Sequence, residues 1–187
     1  MVVYPWRTIL LGSRWMSTSL AFLIGTSRND GNTWKLLNQI NAQFQAPIVD
    51  LGALNISFFD YQSRNLNDDF IPTIESLTSY STIGFVSPMY WYSVSAQMKV
   101  FIDRLSDLLG PRKDLGRMLR DKRTFLLANG SSEPQITAGM EEVIGRTSEY
   151  LGMRYQGSFY ARLEEGLAID AETVRAATEF VDRVARA

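Results

Sequence analysis

Whatever chemistry this chain performs, it performs without cysteine or histidine, since neither occurs among its 187 residues. Their absence removes thiolate nucleophiles, disulfides, iron–sulfur clusters, thiolate zinc sites, imidazole bases and Ser-His-Asp triads. A carboxylate pair, a hard metal on oxygen ligands or an organic cofactor is what remains. The adjacent carboxylates Asp68-Asp69 and Glu141-Glu142 fall in segments of helical period. Neighbours on a helix point different ways, so neither pair can act jointly, and they read as solvated faces. The balance favours an organic cofactor.

Three segments could hold one. Thr26-Ser27-Arg28-Asn29-Asp30-Gly31-Asn32-Thr33 offers hydroxyls, amides, an arginine and a glycine just ahead of a helical stretch. Free N–H groups and the dipole at a helix start favour an anion, so the loop suits a phosphate. It is not a nucleoside-triphosphate loop, because five residues separate Gly25 from Gly31 and Asn32 stands where that motif has lysine. It also lacks the G-x-G-x-x-G dinucleotide fingerprint. The competing reading is an ordinary polar turn with Asn32 or Thr33 as N-cap. Ser87-Pro88-Met89-Tyr90-Trp91-Tyr92-Ser93 places three consecutive aromatics at a strand-to-helix corner, where they cannot all face a core. Part of the corner should cover something flat and apolar; the alternative is a core Tyr and Trp plus a dimer contact, with Ser93 or Ser95 capping the next helix. Asn129-Gly130-Ser131-Ser132 is small and polar, so its backbone can approach the edge of a heterocycle. Together the three describe a mononucleotide with a large ring.

The elements that position these segments follow from periodicity. Continuous apolar or β-branched runs predict buried strands at Leu20–Ile24, Pro47–Leu51, Thr82–Ser87, Thr124–Ala128 and Tyr155–Leu163. Helical spacing predicts helices at Thr33–Phe44, Asp68–Tyr80, a long one after Ser93 with a stripe from Val94 to Leu109, Gln135–Leu151 and Asp170–Arg186. Gly52–Asn67 reads as a loop with structured pieces. Five strands alternating with helices mean an α/β fold whose parallel sheet is covered on both faces. Ligands bind such sheets outside the carboxyl ends of the strands, where the three segments fall.

With Gln97-Met98-Lys99-Val100-Phe101-Ile102-Asp103-Arg104, the loops Gly25–Arg28 through Gly31–Thr33 and Ser87–Ser93 resemble the NADPH-dependent FMN reductase and NAD(P)H quinone reductase family of flavodoxin-like proteins. The likeness covers most of the chain from about Leu20 onward. It implies a flavodoxin-like three-layer sandwich over residues 16–187. It implies FMN as cofactor, its phosphate on Ser27, Arg28, Asn32 and Thr33, its ring wrapped by Pro88, Met89, Tyr90 and Trp91, and its pyrimidine edge near Asn129 and Gly130. NADPH or NADH would supply a hydride to flavin N5, and a small-molecule acceptor such as a quinone, an azo or nitro compound or free flavin would take the electrons. No side chain need act as acid or base. A homodimer or dimer of dimers is also implied, with the flavin pocket near the subunit boundary. Two rival readings use the same fold: a flavodoxin-type electron carrier and a cofactor-free interaction domain.

Charge excludes some partners. Nineteen basic against 20 acidic residues give a net charge of −1, with no footprint for nucleic acid or an anionic membrane. The local excess of Arg112, Lys113, Arg117, Arg120, Lys122 and Arg123 reads as a solvated connection, with an anion-contacting rim as the alternative. Lys99 and Asp103 read as an i,i+4 pair of structural or subunit-contact use, with Arg104 beside them. No apolar run reaches the ~20 residues that span a bilayer. Residues 1–15 show neither a basic n-region nor a small-residue cleavage site and read as an extension, disordered or packed outside the fold. Cytoplasm is the expected compartment. Tyr150, Met153 and Tyr155 are expected to add to an apolar contact surface for the dimer.

Overall fold

The computed structural model describes residues 20–131, 133 and 137–187. The extension at 1–15, Ser132 and the start of the helix expected from Gln135 lie outside the described residues. Five strands, β1 (Leu20–Ile24), β2 (Ile48–Asp50), β3 (Thr82–Pro88), β4 (Arg123–Gly130) and β5 (Arg154–Arg162), form one sheet in the order β2-β1-β3-β4-β5. Every pairing is parallel. This is the doubly wound order whose switch point lies between β1 and β3. The register sets Pro88 beside Asn129 and Gly130 beside Arg162, so residues expected at the site end adjacent strands together.

Among the described residues, six helices cover the sheet: α1 (Asn32–Phe44), α2 (Phe70–Leu77), α3 (Ala96–Arg104), α4 (Lys113–Met118), α5 (Ala138–Tyr150) and α6 (Ala171–Arg186). Alternate residues of β1 divide the core. Leu20, Phe22 and Ile24 pack with α1 and α6, whereas Ala21 and Leu23 pack with α2, α3 and α5. Burial on both faces explains why the strands read as unbroken apolar runs.

The long helix expected after Ser93 is interrupted. α3 ends at Arg104 and tightens into a 3₁₀ turn over Leu105–Leu109. Arg104 is 1% exposed, and its Nε donates to Asp107 Oδ2 at 2.8 Å, three residues on, a spacing that 3₁₀ geometry brings into line. The same guanidinium meets Asp68 Oδ2 at 2.5 Å, donates to the carbonyls of Ser57 (3.1 Å) and Asn65 (3.0 Å), and lies 4.8 Å from the centre of the Phe70 ring. Arg104 therefore fastens the long β2–α2 loop onto α3. Asp68 and Asp69 are not a solvated helical face. They precede α2, which starts at Phe70; Asp68 accepts the Ser57 and Phe70 N–H groups, and Asp69 accepts that of Asn55. Burial alone would raise the Asp68 carboxyl, but Arg104 and the two backbone donors hold it below its usual range. Lys99 and Asp103 form the exposed i,i+4 pair expected of them, at 2.5 Å.

The basic cluster is not featureless connection, since it contains α4, and it is not a rim of the site. Lys122 and Arg123 stand where β4 begins, at the end of the sheet opposite the loops after β1, β3 and β4. Lys122 Nζ donates to the carbonyls of Thr78 (2.7 Å) and Tyr80 (2.5 Å), closing the end of α2, and burial pushes its pKa down. Arg112 is tied to Glu75 and Asp114, both at 3.1 Å.

Candidate functional site

The site is built from the loops at the carboxyl ends of β1, β3 and β4. The β1 loop leads into α1, whose N-cap is Gly31 and which has neither a side-chain cap nor an acidic residue in its first turn. The expectation that Asn32 or Thr33 caps this helix is overturned, because both side chains are engaged elsewhere. Asn32 Nδ2 donates to the Glu164 carbonyl at 3.1 Å, and Thr33 Oγ1 donates to Asn129 Oδ1 at 2.8 Å. The first-turn N–H groups thus lack side-chain acceptors, which leaves them suited to an external anion. Ser27 is exposed beside them.

Arg28 lies across this helix end. A Cβ on Gly31 would stand 3.0 Å from Arg28 Nε, so glycine is what lets the side chain fold back over the N-cap. Its Nη2 then donates to Glu165 Oε1 at 2.7 Å, and Asp30 lies 3.9 Å from Nε. The hydrogen bond to Glu165 raises the guanidinium pKa further, keeping the charge fixed. Glu164 and Glu165 belong to the β5–α6 loop, which the sequence reading did not assign to the site. Their position after the fifth strand, on the side where α1 and α6 pack together, was the available signal.

The β3 loop turns back on itself. Tyr90 N–H donates to Ser93 O at 3.0 Å and Ser93 N–H to Tyr90 O at 3.1 Å, closing a two-residue hairpin turn. Its central residues, Trp91 and Tyr92, have φ of +48° and +65°, the left-handed pair that such turns require and normally fill with Asn-Gly. Bulky side chains there store strain. Tyr90, Trp91 and Tyr92 are 43%, 91% and 61% exposed, so the alternative of a core Tyr and Trp fails: the turn aims all three outward. Tyr92 O presses on α5, where a Cβ at Gly139 would lie 2.8 Å from it. Of the two serines offered as a cap for α3, Ser95 serves: its Oγ accepts Met98 N–H at 3.2 Å and donates to Gly25 O at 2.7 Å, tying the β1 loop to α3.

Pro88 is buried and Met89 N–H donates to Asn129 O at 2.7 Å, so the inner end of the aromatic loop is locked to β4. Asn129 is only 6% exposed, and its amide oxygen is occupied by Thr33. Gly130 O accepts Leu163 N–H, and a Cβ there would meet Tyr160 Oη at 2.7 Å. Beyond it Arg162 pairs with Glu133, joining β5 to the β4–α5 loop. The structure therefore brings Ser27, Arg28, Asn32 and Thr33 together at one helix end, and Pro88 through Trp91 with Asn129 and Gly130 beside it.

Tyr150, Met153 and Tyr155 do not form one exposed patch. Tyr150 is 75% exposed, but Met153 is 5% exposed because its N–H returns to Ser148 O and its side chain enters the core. Tyr155 lies flat on Gly145; burial, then the Glu141 charge, push its phenol up to about 12. Glu141 itself accepts from Ser158, and Glu142 pairs with Arg146 at 2.5 Å.

The donor set fits FMN. An uncapped helix start with an exposed arginine and hydroxyl suits a phosphate dianion, and an outward-aimed aromatic turn flanks the strand ends. Among the described residues there is no His, Cys, Asp and Glu grouping able to hold a metal, and no helix is long and apolar enough to cross a membrane.

Comparison with known proteins agrees. Residues 18–165 match the family model described as NADPH-dependent FMN reductase. The candidate NAD(P)H-dependent FMN-containing oxidoreductase YwqN of Bacillus subtilis (strain 168) is 28% identical over 152 residues, which span 74% of this chain and 81% of YwqN. Among solved structures, the Trp repressor binding protein of Bacillus subtilis superposes with a TM-score of 0.71 at 22% identity, over 88% of this chain and 98% of its own. The FMN-dependent NADH-azoreductase of Bacillus anthracis, solved with FMN, superposes with a TM-score of 0.61 at 10% identity, over 89% and 98% of the two chains. The family match over residues 18–165, with the sheet order, places this flavodoxin-like chain in the NADPH-dependent FMN reductase family, as an FMN-dependent NAD(P)H oxidoreductase.

Proposed function

We propose that the chain passes electrons from a reduced nicotinamide to a small, flat acceptor such as a quinone, an azo or nitro compound or free flavin. The observation that carries this reading is the uncapped start of α1 with Arg28 laid across Gly31, beside a strained turn that aims Trp91 outward. Bound FMN would supply the hydride chemistry, accepting two electrons from the nicotinamide and releasing them to the acceptor. Arg28, Ser27 and the first-turn N–H groups of α1 bind the phosphate. Thr33 and Asn32 act indirectly, Thr33 by fixing Asn129 and Asn32 by holding the β5–α6 loop. Backbone groups from Pro88 to Trp91 and at Asn129 and Gly130 line the ring and stabilise charge that develops on it. Tyr90 and Trp91 exclude water from the exposed ring face.

Turnover tests the reading directly. FMN-reconstituted protein should oxidise NADH or NADPH faster when a quinone, azo dye, nitroarene or free flavin is added. Nicotinamide oxidation unchanged by every acceptor would overturn it, and full activity with a protein electron carrier alone would favour the flavodoxin-type reading.

We further propose a homodimer, formed not at the flavin pocket but through the apolar groove between the 3₁₀ turn and α5, lined by Ile102, Leu105, Leu109 and Tyr150, at the end of the sheet where β4 and β5 begin. Leu109 is 42% and Tyr150 75% exposed there. An exposed apolar patch of this kind marks a contact surface.

A further inference from the structure

Two loops that are far apart in sequence meet over the phosphate end of the site, and the meeting is electrostatically specific. The β5–α6 loop gives Asn32 a backbone carbonyl, that of Glu164, and gives Arg28 a carboxylate, that of Glu165. Arg28 is the cation laid over the uncapped start of α1, and Glu165 holds it by a single 2.7 Å hydrogen bond from Nη2. The partners are 54% and 77% exposed, so water and salt compete for the pair. A guanidinium beside the positive end of a helix is poorly placed by itself, and an anion close by relieves it. In this structure that anion is the chain's own carboxylate.

We propose that Glu165 is a positioning residue that sets the affinity for FMN by competing with its phosphate for Arg28. The inference rests on the FMN site described above. Phosphate arriving at the α1 start takes Arg28 from Glu165, and the freed carboxylate stands as a like charge near the dianion. Both effects weaken FMN binding and neither touches the ring. The carboxylate thus tunes how readily the cofactor exchanges, while the Asn32–Glu164 contact, which is uncharged, keeps the loop in place.

The test is equilibrium binding of FMN and of riboflavin to apoprotein, followed by flavin fluorescence, for wild type, Glu165→Gln, Glu165→Ala, Arg28→Ala and Arg28→Ala/Glu165→Gln. Glu165→Gln keeps the shape and removes the charge. It should tighten FMN by about three- to ten-fold at low salt, as expected for releasing an exposed ion pair and removing a nearby like charge. Glu165→Ala should do at least as much, riboflavin should bind unchanged, and the gain should shrink as salt rises. With Arg28 already replaced, Glu165→Gln should gain less, because only the like-charge effect remains. Unchanged or weaker FMN binding in both Glu165 variants would overturn the proposal, as would an equal gain for riboflavin. Wild type that binds no FMN at all would instead sink the cofactor site on which the proposal rests.

Discussion

Replacing Trp91-Tyr92 by Asn-Gly should make the apoprotein more stable while making it a poorer flavoprotein. Both residues have left-handed φ, +48° and +65°, which costs a bulky L-residue about 1–2 kcal/mol. Asn and Gly adopt this conformation readily, and Asn-Gly is the preferred filling of this turn. Glycine returns about 0.4–1 kcal/mol through the greater freedom of the unfolded chain. Little burial is lost in exchange, since Trp91 is 91% and Tyr92 61% exposed. The net gain should be about 1–2 kcal/mol, or a melting temperature higher by roughly 3–6 °C for a chain of this length. Melting of apoprotein followed by circular dichroism measures it. Melting with saturating FMN should show a smaller ligand-induced rise than wild type, because an aromatic ring contact contributes about 0.5–1.5 kcal/mol. An apoprotein no more stable than wild type would refute the strain argument, and an unchanged ligand-induced rise would refute the role given to Trp91.

Arg28→Ala should weaken FMN by about ten-fold or more and leave riboflavin nearly untouched, because a charge-assisted phosphate contact contributes about 1.5–3 kcal/mol; paired titrations of the two flavins check it. Arg104→Ala should destabilise the fold by about 3–5 kcal/mol by abandoning Asp68 and Asp107 in the core, whereas Arg104→Met with Asp68→Asn and Asp107→Asn should recover much of that in urea unfolding. The folded-state pKa of Asp68 is held below its unfolded value, so its stabilisation is complete above the unfolded pKa, near 4. It is lost as pH falls through the folded pKa, and Arg104→Met with both Asp→Asn changes should flatten stability below about pH 4. Tyr150→Glu with Leu109→Glu should convert the proposed dimer to monomer in light scattering, and wild type that is already monomeric at micromolar concentration would dispose of the dimer.

The strands and most helices are legible in the sequence because each makes its own signal. Leu20–Ile24 is a continuous apolar run between two packed faces, and the helical spacing of Trp34, Leu37, Ile40 and Phe44 marks the inward side of α1, where Leu37 and Ile40 are buried and Trp34 and Phe44 partly so. α3 is where that logic fails. The stripe from Val94 to Leu109 is real, but it cannot report that Arg104 and Asp107 turn inward, because a charged residue on an amphipathic pattern is assigned to solvent by default. The partners that make burial tolerable, Asp68 and the carbonyls of Ser57 and Asn65, come from a loop about 40 residues earlier.

The candidate site divides along the same line. Its local half, a glycine-bearing polar loop before α1 and a run of aromatics after β3, is visible because short spacing and a helix start suffice to define it. Its other half consists of cross-connections between loops: Thr33 to Asn129, Arg28 to Glu165, Ser95 to Gly25, and Met89 N–H to the Asn129 carbonyl. These contacts depend on which strand ends are neighbours, and strand order is not written in any one segment. They also change what the visible residues do. Thr33 and Asn129 each look like a cofactor ligand in isolation, yet joined at 2.8 Å they spend a donor and an acceptor on each other. Their joint effect is to hold β4 against the start of α1, so the two halves of the candidate site, the proposed phosphate end and the proposed ring end, are fixed relative to one another before any ligand arrives.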